Sequence, residues 1–533
     1  MRPWTRWSAL LASAVFILMN LVFVNPTKAI FLDDARTIQL SGVFYNQVRF
    51  RTTDSRRFAP KASDWTMLQH RYFIDPQLLV QVQPWLQHAP FGRELVDLLH
   101  VEDARFFFNP RFEYDGVYDY GPDIFRHKLR SEGKPIPPRL QKGNRLQLFE
   151  VYGQFQLLKT VNLRIGRQNL SWGETDAFRL LDRINPLDNG FGGFLIPLDE
   201  RRRPLMMVRA TVGLGDYPQW DIYNAALEAF IAPDSRLPAG APGRTPWGVT
   251  GAASPRGFPP TLVASLAQLG RGASRGNQIE RPDRSLKDSR WGTRLMWTWA
   301  DISFSLAYMS TYPDSATAAL RLNEASNPVL RLKYPNVQIV GLTATTPLTP
   351  LNLNYTVIRT ELAGFFGEPF FIENQNFRLG VPIPKRNVIR GVIGFDHNQW
   401  WRFLNPNNTF SLTGQLFYTG LQGGVGGIKV PLQRKPGEYI DLDRTSFVTT
   451  FGINTLYSAA YFFNISQVQP SATVLYDWEG AWLFQPALTF IRDPFRFRVE
   501  YSWLEGRFVQ SLGGGIGLFK DKDNLAFRID YLL

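Results

Sequence analysis

Residues 525–533 read Leu-Ala-Phe-Arg-Ile-Asp-Tyr-Leu-Leu, and this stretch decides the expected fold. Successive side chains of a β-strand point to opposite faces, so every second residue shares a face. One face is apolar throughout and consists of Leu525, Phe527, Ile529, Tyr531 and Leu533. The other face consists of Ala526, Arg528 and Asp530. A membrane barrel needs such a last strand, because it pairs with the first strand while one face contacts lipid. The stretch therefore predicts an outer-membrane β-barrel.

The first 29 residues have the pattern of a secretory signal peptide. Arg2 and Arg6 precede a largely apolar run over residues 8–24, and Ala29 supplies a small residue at the cleavage point. We expect cleavage near Ala29, which leaves residues 30–533 as a single barrel; an uncleaved N-terminal membrane anchor is the alternative. The chain contains no cysteine, which argues against a lipoprotein and against a disulfide scaffold.

Alternation of apolar and polar residues recurs along the chain after residue 30. The clearest case is 495–503, where Phe495, Phe497 and Val499 alternate with Arg496, Arg498 and Glu500. Each such segment has about 10 residues, which lets a tilted strand cross the hydrocarbon layer. No apolar run of about 18 residues follows the signal peptide, so helical membrane spans are not expected.

Short and long connections alternate between these segments, as in outer-membrane barrels with short periplasmic turns. Short turns are predicted at residues 159–160, 213–218, 300–301, 347–351 and 492–494. Long loops are predicted at roughly 115–145, 170–204, 233–290, 312–335, 367–386 and 422–444. We therefore predict an all-β fold, a transmembrane antiparallel barrel of about 16–18 strands with both termini in the periplasm. Residues 52–105 and 446–480 are ambiguous, and the strand number must be even.

Aromatic residues cluster near the predicted strand ends and favour the membrane–water interface. The alternative is a track of rings inside the lumen that stacks against sugars. The residues concerned are Trp220, Tyr223, Trp297, Trp299, Trp400, Trp401, Tyr476, Trp478, Trp482, Tyr501 and Trp503.

The stretch after residue 163 has the most specific local pattern in the chain. It contains Gly-Arg-Gln at 166–168, Trp-Gly-Glu at 172–174, Asn-Pro-Leu-Asp at 185–188 and a charged run that ends at Pro204. This pattern resembles the porin-like proteobacterial barrels grouped as domain of unknown function number 1302. The resemblance implies one barrel over essentially the whole mature chain. That family has no settled activity, and the run of three arginines at 201–203 departs from its pattern, so the resemblance implies no solute.

We interpret residues 170–204 as a loop that bends into the barrel and narrows the passage. Acidic and basic side chains opposed across a narrow passage would orient polar solutes and set the ion preference. The alternative is a network of salt bridges that stiffens the wall, with 185–188 as a simple turn. The candidate constriction and lumen residues are Arg167, Trp172, Glu174, Asp176, Arg179, Arg183, Asn185, Asp188, Asp199, Glu200, Arg201, Arg202 and Arg203.

A second long loop, residues 233–290, is rich in Gly and Pro and is strongly basic. Between 235 and 290 it has nine basic residues against three acidic ones. One interpretation is a surface loop that contacts anionic lipopolysaccharide, and the other is a basic funnel for anionic solutes. Residues 261–269 could form a short apolar helix within it.

The sequence favours transport over catalysis. Five histidines and no cysteine make catalytic, metal-binding and cofactor-binding sites improbable, so we expect none of them. Secretion and strand alternation also argue against nucleic-acid binding, in spite of a pI near 9.8. We expect a channel for small solutes. The alternatives are a component of an envelope export or lipid-transport system with a periplasmic partner, and a scaffold that conducts nothing. Outer-membrane lipid, lipopolysaccharide and the barrel-assembly machinery are the other expected partners.

Overall fold

A computed structural model gives the conformation of most of the chain after the predicted signal peptide. It describes residues 30–52, 65–126, 145–176, 178–240, 245–247, 278–314, 317–322, 328–348, 356–370, 383–424, 429–431, 439–458, 465–507, 515–520 and 522–533. The predicted signal peptide and the predicted helix at 261–269 lie outside these residues.

Eighteen long strands, β1 to β18, form one closed antiparallel sheet. In chain order they are Ile38–Arg51, Met67–Gln81, Val101–Asp115, Arg145–Leu157, Val161–Gln168, Leu205–Tyr217, Ile222–Ala232, Arg290–Trp299, Ile302–Thr311, Val337–Pro347, Thr356–Pro369, Lys385–Gln399, Phe410–Gln422, Thr445–Asn454, Gln467–Asp477, Ala481–Arg492, Phe495–Gly506 and Asn524–Leu532. Two-residue strands at Ile30–Phe31 and Tyr457–Ser458 extend the same sheet.

The last strand closes the barrel on the first. β18 pairs antiparallel with β1 from Val43 opposite Leu532 to Arg51 opposite Asn524. Beyond the ladder, Gly42 and Leu533 exchange two backbone hydrogen bonds of 3.2 and 2.9 Å. Every other long strand pairs with its neighbours in sequence, so the closure predicted from residues 525–533 is confirmed.

The structure resolves the two ambiguous regions and sets the number of strands at eighteen. β2 and the first residues of β3 lie in the first region, and β14 and β15 lie in the second. One predicted turn was misplaced: β6 continues to Tyr217, and the turn is the 3₁₀ helix Pro218–Trp220. The sequence analysis also missed a pair of helices between β2 and β3, α1 at Gln83–His88 and α2 at Pro90–Leu99.

The remaining described elements belong to the connections. Short helices α3 and α4 span Asp123–Arg126 and Leu198–Arg201. Further 3₁₀ turns are Gly116–Tyr118, Gly193–Leu195 and Ile516–Phe519. Small separate sheets consist of Gln278–Ile279, Thr317–Leu322 and Pro328–Lys333, and of Lys429–Pro431 and Tyr439–Asp441. Within the described part of the chain, no helix combines the length and the apolarity needed to cross a membrane.

The outer face of the barrel is a band of exposed apolar side chains. Water would not tolerate a continuous apolar surface of this size, whereas lipid would. The band includes Ile165, Met206, Val208, Leu227, Leu295, Leu306, Val340, Leu342, Leu362, Ile393, Leu416, Phe451, Leu488, Phe497, Phe527 and Ile529. The fold is therefore a transmembrane antiparallel β-barrel.

Exposed aromatic rings lie at both ends of this band, where interfacial residues belong. Trp220, Tyr223, Trp299 and Trp400 are exposed at the end where the strands are joined by short turns, which we call the turn end. Trp291, Tyr476, Trp478 and Trp503 are exposed at the opposite, loop end. Their outward exposure favours a girdle over a stacking track in the lumen.

Replacement of Val499 by Arg tests which face contacts lipid. Val499 lies directly between Leu488 and Phe527 on the outer face. We expect Val499→Arg to lower the free energy of unfolding in lipid vesicles by about 2–4 kcal/mol, because a charge would enter the hydrocarbon. Thr473→Arg, on the inward face of β15, is the matched control and should cost much less. Equal losses for the two variants would contradict the assignment of faces.

Candidate functional site

The connection between β5 and β6, residues 169–204, enters the barrel; we call it the inward segment. Asp176 forms an ion pair of 2.8 Å with Arg359 on β11. At its other end, Glu200 forms an ion pair of 2.8 Å with Arg71 on β2. β2 and β11 are nine strands apart in a ring of eighteen. The segment therefore spans the lumen from one wall to the opposite one.

Trp172 begins the crossing and is fully buried. Its indole N–H donates a hydrogen bond of 2.5 Å to the carboxylate of Glu228 on β7, and its ring packs edge-on against Phe230. Gly173 follows with a φ of +139°, and a Cβ there would lie 2.9 Å from the Glu361 carboxylate. The Trp-Gly-Glu pattern thus combines a buried indole with a backbone position that favours glycine.

Glu361 on β11 holds the backbone of the segment against the far wall. Its carboxylate accepts the N–H of Glu174 at 2.8 Å and the N–H of Leu181 at 2.5 Å. On the same wall, Arg359 donates to the Glu174 carbonyl at 2.7 Å. Glu174 is therefore attached through its backbone.

Asn185 connects the two ends of the segment and is fully buried. Its side-chain oxygen accepts the Leu170 N–H at 2.8 Å, and its amide donates to the Arg203 carbonyl at 3.1 Å. Its own carbonyl accepts from Arg179 at 2.6 Å. The Asn-Pro-Leu-Asp stretch is therefore a structural junction.

Asp188 ends that junction and starts the next turn. Its carboxylate accepts the Gly190 N–H at 2.8 Å. Its backbone pairs with Ala239, so the basic loop 233–290 passes beside the inward segment at this point.

Arg179 and Arg183 share one acidic partner, Asp314, in the connection after β9. Arg179 contacts it at 2.5 Å, and Arg183 pairs with the other carboxylate oxygen. Burial tends to raise the pKa of Asp314, but Arg179, Arg183 and Arg201 together hold that pKa below its usual value. The carboxylate therefore stays charged at neutral pH.

The three consecutive arginines have three different partners. Arg201 donates to the side chain of Asn189 at 2.7 Å, and burial together with Arg179 lowers the pKa of Arg201 to about 10. Arg202 pairs with Asp182 at 2.7 Å and also with Asp199. Arg203 donates to the Leu237 carbonyl at 2.5 Å. Only Asp199 in this group is largely exposed, at 89% of its side chain.

Glu200 attaches the segment to the closing side of the barrel. Its carboxylate accepts from Tyr45 on β1 at 2.5 Å, and it lies 3.6 Å from Arg528 on β18. Its carbonyl accepts from Arg111 on β3 at 3.3 Å. Burial tends to raise the pKa of Glu200, but Arg71, Arg528, Tyr45 and Arg111 hold that pKa below its usual value.

The prediction that the Arg167 side chain faces the lumen is wrong, because Arg167 lies on the outer face of β5. Its neighbour Ile165 and its cross-strand partner Met206 are both exposed on that face, and Arg167 donates to the Leu148 carbonyl at 2.6 Å. The reason is the strand parity: Gly166 and Gln168 are buried and point inward, so residue 167 points outward.

Sequence analysis missed the apolar contacts that hold the segment. Leu170, Leu181 and Ile184 pack with Met207 on β6 and Ile339 on β10 in a buried cluster. Leu180 joins a second cluster that includes Phe417, Val448, Leu475 and Leu483 from the opposite wall. Phe191 joins a third with Leu68, Tyr118, Phe125 and Trp247. The available signal was the presence of large apolar residues in a loop otherwise dense in charge.

Within the described residues, no group of three or more His, Asp or Glu side chains is placed to hold a metal ion. His397 contacts the Thr356 hydroxyl at 2.7 Å and the Gln399 side chain at 2.9 Å. Its neighbour Asp396 pairs with Arg359 instead.

The model of one protein family, described as a protein of unknown function (DUF1302), matches residues 95–533. The chain belongs to this family. No curated protein sequence matches the chain.

Several solved structures have some likeness to the chain. OccAB3 of Acinetobacter baumannii is 8% identical, covers 93% of this chain and 99% of its own, and has a TM-score of 0.44. OccAB1 of the same organism is 9% identical, with coverages of 96% and 98% and a TM-score of 0.43. OccK2 of Pseudomonas aeruginosa, solved with glucuronate, is 10% identical, with coverages of 94% and 99% and a TM-score of 0.40.

Replacement of Glu361 tests how the inward segment is held to the far wall. Glu361→Ala removes the acceptor of two buried backbone N–H groups, and each loss costs about 1–3 kcal/mol. We expect hydrogen exchange at the Glu174 and Leu181 amides to accelerate by about tenfold or more. Glu368→Ala is the control, because that carboxylate lies on the same strand and pairs with Arg390 at 2.8 Å. Unchanged exchange in Glu361→Ala would contradict the role of Glu361.

Acidification tests the attachment at Glu200. Because the pKa of Glu200 is lower in the folded protein, its stabilising contribution is present at neutral pH and is lost as the pH falls below about 4. A spin label on Asp199→Cys should therefore gain mobility in that pH range. The same label combined with Glu200→Gln should show no such transition. A transition of equal size in both proteins would assign it to another group.

Proposed function

We propose that the protein is an outer-membrane channel for small solutes and that the inward segment controls their passage. The observation that carries the proposal is the attachment of one loop to opposite walls of a closed barrel, through Asp176 and Glu200. An eighteen-stranded barrel is wide enough to leave an aqueous passage unless something fills it. The inward segment occupies that space, so any solute must pass beside it or displace it.

The attachments of the segment also favour a controllable element over a fixed part of the wall. The inward segment contacts the strands through side chains such as Asp176 and Glu200. Its isolated backbone bridges join Leu187 to Arg202 within the segment and Asp188 to Ala239 of the next loop. A loop outside the strand ladder can change its conformation while the hydrogen bonds of the ladder, which hold the barrel together, stay intact. We propose that the paired charges keep the segment in place and that exposed acids such as Asp199 and Asp176 contribute to ion preference.

The outer-membrane location belongs to the same proposal. It is supported by the apolar outer band, by the closed sheet and by the signal-peptide pattern of the first 29 residues. Contacts with lipopolysaccharide, with the barrel-assembly machinery and with a periplasmic partner remain predictions.

Deletion of residues 189–198 is the direct test. The Asp188 N–H donates to the Arg201 carbonyl at 2.7 Å, so Asp188 already lies beside the short helix Leu198–Arg201 in which the deleted stretch ends. The deletion also removes the buried Phe191 and Ile196. We expect the variant to assemble and to show a larger single-channel conductance than the parent in planar bilayers, because the lumen is less filled.

Two further measurements make this test specific. Heat-dependent mobility on a gel should show that the deleted variant is still a closed barrel. Asp199→Asn removes one exposed charge without removing volume, so it should shift ion selectivity with little change in conductance. If the deletion leaves conductance and selectivity as in the parent, the segment is only a brace. If neither protein conducts, the scaffold and the transport-partner alternatives replace the channel.

A further inference from the structure

Three arginines lie at one level of the inner wall, next to the inward segment. Arg164 on β5 and Arg209 on β6 are direct cross-strand partners. Arg294 on β8 is the direct partner of Glu228 on β7. Arg209 also donates a hydrogen bond of 2.6 Å to the Glu228 carboxylate. The group therefore covers four consecutive strands of the wall.

These side chains face the lumen. Glu228 receives the indole N–H of Trp172, which belongs to the inward segment, and it pairs with both Arg209 and Arg294. The side chains of direct cross-strand partners lie on the same face of a sheet. Arg164 therefore points into the lumen together with Arg209.

Ion pairs with described carboxylates involve two of the three arginines. Glu228 pairs with both Arg209 and Arg294, whereas Glu150 lies near Arg164 without forming an ion pair with it. Arg164 donates to the Gln154 side chain at 2.8 Å and lies over the Tyr152 ring at 4.4 Å, and no described carboxylate forms an ion pair with it. Elsewhere in the lumen, Arg111 forms an ion pair with Asp75 through contacts of 2.9 and 3.0 Å. Like charges directly opposed across strands are destabilising, and of the pair Arg164 and Arg209 only Arg209 has an ion-pair partner, so this pair favours a bound anion.

The three arginines lie at the edge of the inward segment, where solvent reaches them. Leu205 and Met207 on β6 are buried against the segment, and Arg209 is the next inward residue. The side chains of Arg209 and Arg294 are 25% and 18% exposed. Toward the turn end the wall remains polar, with Asn162 hydrogen-bonded to Gln156 at 3.2 Å.

We propose that Arg164, Arg209 and Arg294 form a binding site for the oxyanion group of a small solute, a carboxylate or a phosphate. Guanidinium groups present a planar set of donors that binds two oxygens of such a group at once. The site would give the channel a preference for small organic or inorganic oxyanions. As a statement about permeation it rests on the proposed function, but as a binding site it does not.

Calorimetric titration of the full barrel in detergent micelles tests the site without requiring conduction. The probes are succinate and inorganic phosphate, each at low ionic strength so that screening is small. Arg164→Gln removes the unpaired charge and should weaken binding by about tenfold, or about 1.4 kcal/mol. Arg498→Gln is the matched control, because it removes the same charge from another part of the lumen, on β17, six strands away around the barrel. There Glu500 keeps its partners Arg49 and Gln485.

The outcomes distinguish a failure of the binding-site proposal from a failure of the channel proposal. Binding of either probe that is weakened by Arg164→Gln and unchanged by Arg498→Gln supports the site, and the probe that binds identifies the oxyanion. No binding of either probe to the folded parent overturns the proposal. Equal weakening by both substitutions also overturns it, because a general positive field would then explain the binding. If the barrel binds the probes but conducts nothing, the binding site is supported and the channel function is refuted.

Discussion

Every backbone N–H and C=O group in a hydrocarbon environment must find a partner within the protein, and the rest of this structure depends on that constraint. A sheet satisfies it only when it has no free edge, so β18 must pair with β1. The register from Val43–Leu532 to Arg51–Asn524 is therefore the contact that permits a membrane location. It also sets which residues face inward. On the closing side, Tyr45 and Arg528 are directed at the lumen by this register, and there they meet Glu200 of the inward segment.

Closure at eighteen strands produces a wide interior, and the protein fills it with one of its own loops. The inward segment combines two kinds of attachment that have different physical consequences. Apolar side chains such as Leu181 and Ile184 bury surface against the wall and supply favourable free energy. Charged side chains such as Glu200 and Arg202 lie in defined pairs, which supply orientation more than stability, because desolvation offsets much of their attraction. The inward segment is therefore fixed in position, although its backbone is not part of the strand ladder.

The distribution of charge in the lumen follows from the same arrangement. Where the inward segment touches the wall, acids and bases are matched, as with Arg359 and Asp176 or Arg179 and Asp314. Where the segment ends, on β5 to β8, Arg209 and Arg294 share the single carboxylate of Glu228, and Arg164 forms an ion pair with no described carboxylate. Arginines therefore outnumber their ion-paired carboxylate partners on this part of the inner wall.

Sequence alone determined the barrel, its antiparallel strands, its family and the long connection between β5 and β6. These features depend on local periodicity and on short motifs, which a linear chain displays directly. Tertiary structure decided the strand number, since β2, β3, β14 and β15 are recognisable only through their neighbours. It also reversed the expected orientation of Arg167, because a one-residue change of parity exchanges the two faces of a strand. The partners of Asn185, Glu200 and Trp172 depended on tertiary structure as well. Their contacts join residues far apart in sequence, and no local pattern records which wall a loop will meet.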